Sequence, residues 1–234
     1  MSAIAIIPAR GGSKRIPGKN IRAFKGKPMI GYAINVAKAS GLFSKIIVST
    51  DSEAIGEVAM NLGATVPFMR PAKLADDFTG TGSVINHAIK WLEDDGHDFE
   101  IVACIYPTVP LLTPNILQEA SAKLALNPNK SYAFSVGAYR YPVYRALSLS
   151  DDGTVSMLFP QHAGSRSQDL PRVLHDAGQF YIGYKKAWLG GVSMFSEASI
   201  PIELPPYRVM DIDSPEDWTL AELYFDVVEK AGLR

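Results

Sequence analysis

The chain has 234 residues, is 47% hydrophobic and 20% charged, and carries a net charge of −1. That length and composition suit a protein with a sizeable buried core and leave no apolar run long enough to cross a bilayer, which excludes a membrane-embedded role. The single cysteine, Cys104, excludes an intrachain disulfide and a thiolate metal cluster, and its apolar flank marks it as an inert buried thiol. The N-terminus lacks a basic segment ahead of its apolar run and reads as a strand rather than a secretion signal, so the cytoplasm is the expected compartment.

Charge is unevenly placed. Residues 1–50 hold nine Lys or Arg and no Asp or Glu, whereas the other 184 carry 14 basic and 24 acidic groups, a net of −10. A basic segment on a nearly neutral chain points to a local anion site, not to a surface that coats nucleic acid.

The first strand is expected at Ala3–Pro8. It runs into Arg10-Gly11-Gly12-Ser13-Lys14-Arg15-Ile16-Pro17-Gly18-Lys19-Asn20, which crowds glycines, a hydroxyl and cations into one loop. Glycine lets backbone N–H groups gather around an anion, and the four cations match a polyphosphate. The spacing fits neither a Walker A loop nor Gly-x-Gly-x-x-Gly, so this is a third kind of nucleotide loop. A helix follows, with Pro28 in its first turn, Met29, Ile30, Ala33, Ile34 and Ala37 on one face and Gly41 as its stop.

Strands at Lys45–Thr50, Ala64–Phe68, Ile101–Tyr106 and Tyr132–Val136 are expected to alternate with three more helices. Their apolar stripes are Ile55 to Leu62, closed by Gly63, then Val84 to Leu92, then Ile116 to Leu124 with Thr113-Pro114 as cap. Such alternation calls for an α/β fold with a mostly parallel sheet. Residues 137–178 are irregular and read as an insertion that covers the site, a dimer arm, or both. A return strand is expected at Gln179–Tyr184, and a last helix at Ser214-Pro215 with Asp217 completing a capping-box-like pattern. No repeat or linker interrupts the chain, so one domain over 1–234 is expected.

Asp211 and Asp213 are spaced i, i+2, and in an extended segment both carboxylates can face one cation. Oxygen-only ligation suits Mg²⁺; the alternative is helix-start chemistry, since Asp213 and Ser214 are both plausible N-caps. Asp51 reads as a cap, and Asp76-Asp77 as either nucleotide-assisting or solvated. Arg70, just after an apolar run, has a planar fork suited to phosphate or a base carbonyl, and Arg166 could pair with a substrate carboxylate unless its loop is simply surface. The histidines give no zinc spacing, and no Ser-His-Asp or Cys-His set marks a covalent nucleophile.

With these residues assembled, the chain resembles the acylneuraminate cytidylyltransferases, the CMP-sialic acid synthetase family, along nearly its whole length. The resemblance is carried in order by Ile7-Pro-Ala-Arg10-Gly-Gly-Ser13-Lys14, Ile47-Val-Ser-Thr-Asp51, Arg70-Pro-Ala-Lys-Leu-Ala, Tyr106-Pro-Thr-Val-Pro, Arg166-Ser-Gln168-Asp-Leu-Pro and Asp211-Ile-Asp213. It implies a Rossmann-like, GT-A-like three-layer nucleotidyltransferase fold whose insertion exchanges across a homodimer. It also implies transfer of CMP from CTP to a ulosonic acid with Mg²⁺ as cofactor. Arg10, Gly11, Ser13, Lys14, Lys19, Asn20 and Arg70 would hold CTP, Asp211 and Asp213 the metal, and Tyr106, Arg166, Gln168 and Gln179 the sugar acid. Lys19, Asp211 and Asp213 would be the catalytic set. Two departures from the family pattern, Tyr106 in place of its glutamine and Gln179 in the late strand, imply pseudaminic acid, a precursor for flagellin and surface glycans, rather than N-acetylneuraminic acid. Another ulosonic acid is the alternative; a sugar-1-phosphate nucleotidyltransferase and a non-catalytic nucleotide sensor are more distant ones.

Overall fold

The computed structural model describes residues 2–233. β1 (Ala3–Pro8) forms because its side chains alternate between two apolar layers, Ile4 and Ile6 on one face, Ala5 and Ile7 on the other. A small hairpin, β2 (Ala23–Phe24) and β3 (Lys27–Pro28), leads into α1 (Met29–Ser40), which Gly41 ends in the left-handed region at φ 67°. There follow β4 (Lys45–Ser49), α2 (Glu53–Asn61), α3 (Thr81–Asp94), β5 (Ile101–Ile105), α4 (Pro114–Leu126) and β6 (Tyr132–Ala138). The chain ends with the hairpin β7 (Leu147–Leu149) and β8 (Val155–Met157), then β9 (Leu174–Tyr184), α5 (Lys185–Leu189), β10 (Ser199–Glu203) and α6 (Pro215–Lys230).

Six strands form one sheet in the order β10-β6-β9-β5-β1-β4. The pairs β1–β4, β1–β5 and β6–β10 are parallel, and β9 runs antiparallel between β5 and β6. One face is covered by α1, α2 and α4 through residues such as Ile34, Ile55 and Leu117; the other is covered by α3 and α5 through Ile85, Leu92 and Trp188. The three-layer, mostly parallel expectation therefore holds. Among the described residues, no helix is long and apolar enough to cross a membrane.

A third apolar cluster sits beside these layers. It joins Trp218, Ala221, Phe225 and Val228 of α6 to Phe24 and Met29, and it receives Ile16 from the cation loop and Ile212 from between the two acids. Phe24 is its centre, meeting Trp218 and Phe225 edge-to-face at 5.4 and 5.5 Å.

Several expected boundaries change. Ala64–Phe68 is not a strand: isolated bridges from Thr65 to Ile47 of β4 and from Met69 to Thr50 flank Pro67, which has no N–H to continue a ladder. β10 was not foreseen, since Pro201 breaks its pattern, yet as an edge strand it tolerates the missing donor. β6 runs on to Ala138 and β9 begins at Leu174, which trims the irregular stretch to 139–173. Thr113 occupies the N-cap position of α4, but its hydroxyl donates to Asn115 Oδ1 instead of accepting from the helix.

Ile212→Ala should destabilise the protein by ~2–5 kcal/mol, read from the urea midpoint, because the cluster cannot close over the lost side chain. A loss below about 1 kcal/mol would remove Ile212 from the cluster's core.

Candidate active site

The carboxyl ends of β1 and β5, the position where open α/β sheets collect ligands, open onto a cleft of about 670 Å³. The segment after β1 forms one wall. Ile16 is 1% exposed in the third cluster, and Gly18 takes φ 63°, where a β-carbon would be strained. The chain thereby doubles back, with Lys19 N–H donating to Ile16 O at 3.1 Å and Arg22 N–H to Gly18 O at 2.9 Å. Arg10, Ser13, Lys14, Arg15, Lys19 and Asn20 all line the cleft as a result. Gly11 sits behind them: its N–H donates to Asp51 Oδ1 at 2.8 Å, and an added β-carbon would meet Ser52 Cβ at 3.0 Å. Asp51 thus anchors the loop, and Ser52 is the cap of α2.

Asp211 and Asp213 line the cleft with that wall, held by the buried Ile212 between them. The two readings of Asp213 separate here. Ser214 caps α6, accepting from Asp217 N–H at 3.2 Å, while Asp217 Oδ2 accepts from Ser214 N–H at 2.8 Å. Asp213 is left to face the cations: Arg15 lies 2.8 Å from Oδ2, and Lys19 Nζ lies 3.2 Å from Oδ1 and 2.6 Å from Ile212 O. The Asp211 carboxyl is pushed above the usual carboxylate range, first by desolvation in the cleft and then by Asp213.

The donor set fits one hard cation. Among the described residues no group of three or more His, Cys, Asp or Glu could hold a metal, so the protein offers this carboxylate pair. Mg²⁺ accepts one or two carboxylates and completes its shell with water and phosphate oxygens, whereas a zinc site needs three or four protein ligands.

Tyr106, Asp176 and Tyr181 also line the cleft. The Tyr106 hydroxyl shares a 2.7 Å hydrogen bond with Thr81 Oγ1, and burial pushes its pKa up to about 12, so it stays neutral at physiological pH. Asp77, from the loop before α3, reaches across the cleft mouth to Arg10 Nη1 at 2.5 Å and Lys14 Nζ at 2.6 Å. Those contacts hold its carboxyl below the usual range, Lys14 most.

Besides Gly11, four expected site residues lie outside the cleft lining. Arg70 is 6% exposed and donates through Nε to Ser49 Oγ at 3.1 Å and through Nη2 to Ser49 O. Arg166 is exposed and pairs with Asp169 at 2.7 Å, and Gln168 lies in the same short turn before β9. Gln179 is 2% exposed, with its amide nitrogen donating to Arg208 O. Asp176 and Tyr181 were not singled out from sequence; the only signal was their place beside the departure from the family pattern at 175–179.

Because its folded pKa is raised, ionising Asp211 costs stability, a cost present above the carboxylate range and absent below it. Asp211→Asn should therefore raise Tm at pH 7 by roughly 1–3 °C, with the difference vanishing towards pH 3 in thermal scans. A lower Tm at pH 7 would contradict this origin of the shift.

The cytidylyltransferase family profile matches residues 4–179. Pseudaminic acid cytidylyltransferases from two Campylobacter jejuni strains are 43% and 42% identical over 97% of this chain and 97% of theirs. The CMP-N,N'-diacetyllegionaminic acid synthase of Legionella pneumophila is 31% identical over 99% of each chain. Among solved structures, a CMP:2-keto-3-deoxy-manno-octonic acid synthetase complexed with CTP shares the fold, with a TM-score of 0.68 at 16% identity over 98% of this chain and 100% of that one. The chain belongs to the cytidylyltransferase family.

Proposed function

We infer that the protein transfers CMP from CTP to the anomeric hydroxyl of pseudaminic acid, releasing pyrophosphate. One observation carries this reading: a cation loop and a carboxylate pair line one cleft, in a chain that matches pseudaminic acid cytidylyltransferases over 97% of its length. Tyr106, the residue that departs from the sialic acid pattern, lies on the cleft wall and supports that choice of sugar. The resemblance to the legionaminic acid enzyme supports the second reading, a cytidylyltransferase for another ulosonic acid.

In this reading the triphosphate lies along Arg10, Ser13, Lys14 and Lys19, displacing Asp77 from the first two cations. Asp211 and Asp213 would hold Mg²⁺, which supplies charge neutralisation at the phosphates and a more acidic attacking hydroxyl. Lys19 spans loop and acids, so it fixes the distance between phosphate cations and metal ligands before substrate arrives. The sugar hydroxyl forms a bond to the α-phosphorus as the bond to pyrophosphate breaks, with no covalent enzyme intermediate. The protein's contribution is positioning and charge, as in other phosphoryl transfers. Arg166 meets the sugar carboxylate and Gln168 a sugar hydroxyl from the partner subunit of a homodimer, and the exposed Leu147, Leu149, Val155 and Leu158 of the insertion support such a contact. Arg70, buried behind the cleft, supports the loop through Ser49.

Pyrophosphate release with CTP and Mg²⁺ tests the reaction across pseudaminate, legionaminate, N-acetylneuraminate and 3-deoxy-octulosonate. Turnover with pseudaminate above the others is expected; preference for another acid discards the sugar, and silence with CTP still bound favours a nucleotide sensor. Asp77→Asn should tighten metal-free CTP binding by about 2–5-fold in calorimetry, since a competing anion leaves two cations. Weaker binding would make Asp77 a direct contact of the nucleotide.

A further inference from the structure

Gln179 was expected to read the sugar, yet its side chain is turned into the protein, and its Oε1 is buried without a hydrogen-bond partner. The cause is a bulge. Phe134 of β6 pairs with Tyr181, but Val136 pairs with Asp176, so β9 carries extra residues between those two rungs. Ser135 Oγ fills the gap by accepting from the N–H groups of Gln179 and Phe180, each at 3.2 Å. Bulges near active sites re-aim side chains, and here Asp176, not Gln179, is delivered to the cleft.

Asp176 is exposed but held at both oxygens: Tyr181 OH donates to Oδ2, and Gly178 N–H donates to Oδ1 at 2.9 Å. Each oxygen keeps a free lone pair. Beside the nucleotide cleft lies a second cavity of about 500 Å³, walled by Tyr139, Arg140, His175 and, from α6, Leu220 and Tyr224. Two residues line both spaces, Asp176 and Asp211. An acceptor whose hydroxyl must meet the α-phosphate beside Asp211 has its body directed into this second cavity, past Asp176.

We propose that Asp176 is the residue that selects the acceptor, its fixed carboxylate taking a hydrogen bond from an acylamino N–H or hydroxyl of the sugar acid seated in the second cavity. The proposal rests on the reaction inferred above. A fixed polar group rejects an acceptor lacking the matching donor because the group is left unpaired, which is stronger discrimination than shape alone. Gln179 becomes the buried support of the bulge, tying β9 to the Arg208 carbonyl.

The test compares wild type, Asp176→Asn and Tyr181→Phe, with CTP affinity by calorimetry, Tm, and kcat/KM for each acid in the panel. Asp176→Asn should lower kcat/KM for the preferred acid by about 10²-fold and flatten the ranking of acids, with CTP affinity within about twofold. Tyr181→Phe, which frees one carboxylate oxygen, should show a smaller loss of the same kind. Unchanged ranking, or an equal loss of CTP affinity, would overturn the assignment. If wild type prefers an acid other than pseudaminate and Asp176→Asn flattens that preference, Asp176 stands and only the inferred sugar falls. Silence of the wild type on every acid overturns both.

Discussion

The site depends on one small apolar cluster standing apart from the main sheet layers. Ile16 from the cation loop and Ile212 from between the acids are buried in the same cluster as the α6 side chains. Each fully buried side chain of that size is worth ~1.5–3 kcal/mol, enough to fix the two loops that carry it. Neither loop has regular secondary structure of its own to hold its charges in place. Without the cluster, nine basic residues in the first fifty would repel one another, and two adjacent carboxylates would do the same. With it, the two sets face each other, and Lys19 joins them at 2.6 and 3.2 Å.

The electrostatics of the cleft follow from that placement. Asp211 is held high by desolvation and by Asp213, while Asp77 is held low by Lys14 and Arg10. A high carboxyl beside a like charge favours a cation, and the Asp77 carboxylate resting on Arg10 and Lys14 stands where the proposed phosphate would lie. In the proposed reading, a metal–triphosphate completes this charge pattern with little reorganisation of the protein.

Much of the fold was legible because its signals are local. β1 matched residue for residue, and the helix stripes, Gly41 and the Ser214–Asp217 capping box formed where their spacing predicted. Where proline sat in an extended run the sequence misled in both directions, since only the position in the sheet decides whether a missing N–H matters: no strand formed around Pro67, and Pro201 was tolerated in one. For the site, cations and acids far apart in sequence were readable as types but not as neighbours. Gln179 illustrates the limit: its side-chain direction depends on a bulge set by Ser135, forty-four residues away. Arg166 and Gln168 illustrate another, because the segment between β8 and β9 that carries them leaves them outside the cleft lining.

The claim that one cluster makes loop and acids a single body has a direct measurement in native-state hydrogen exchange with rising denaturant. The Lys19, Ile21 and Arg22 amides bond within the cation loop, to Ile16 O and Gly18 O, and the Asp213 and Ser214 amides bond to Asp217 Oδ2. A shared cluster predicts that both groups of amides open with the same free energy and merge onto one isotherm. Two separate isotherms, with the cation loop opening while the acid segment stays closed, would contradict it.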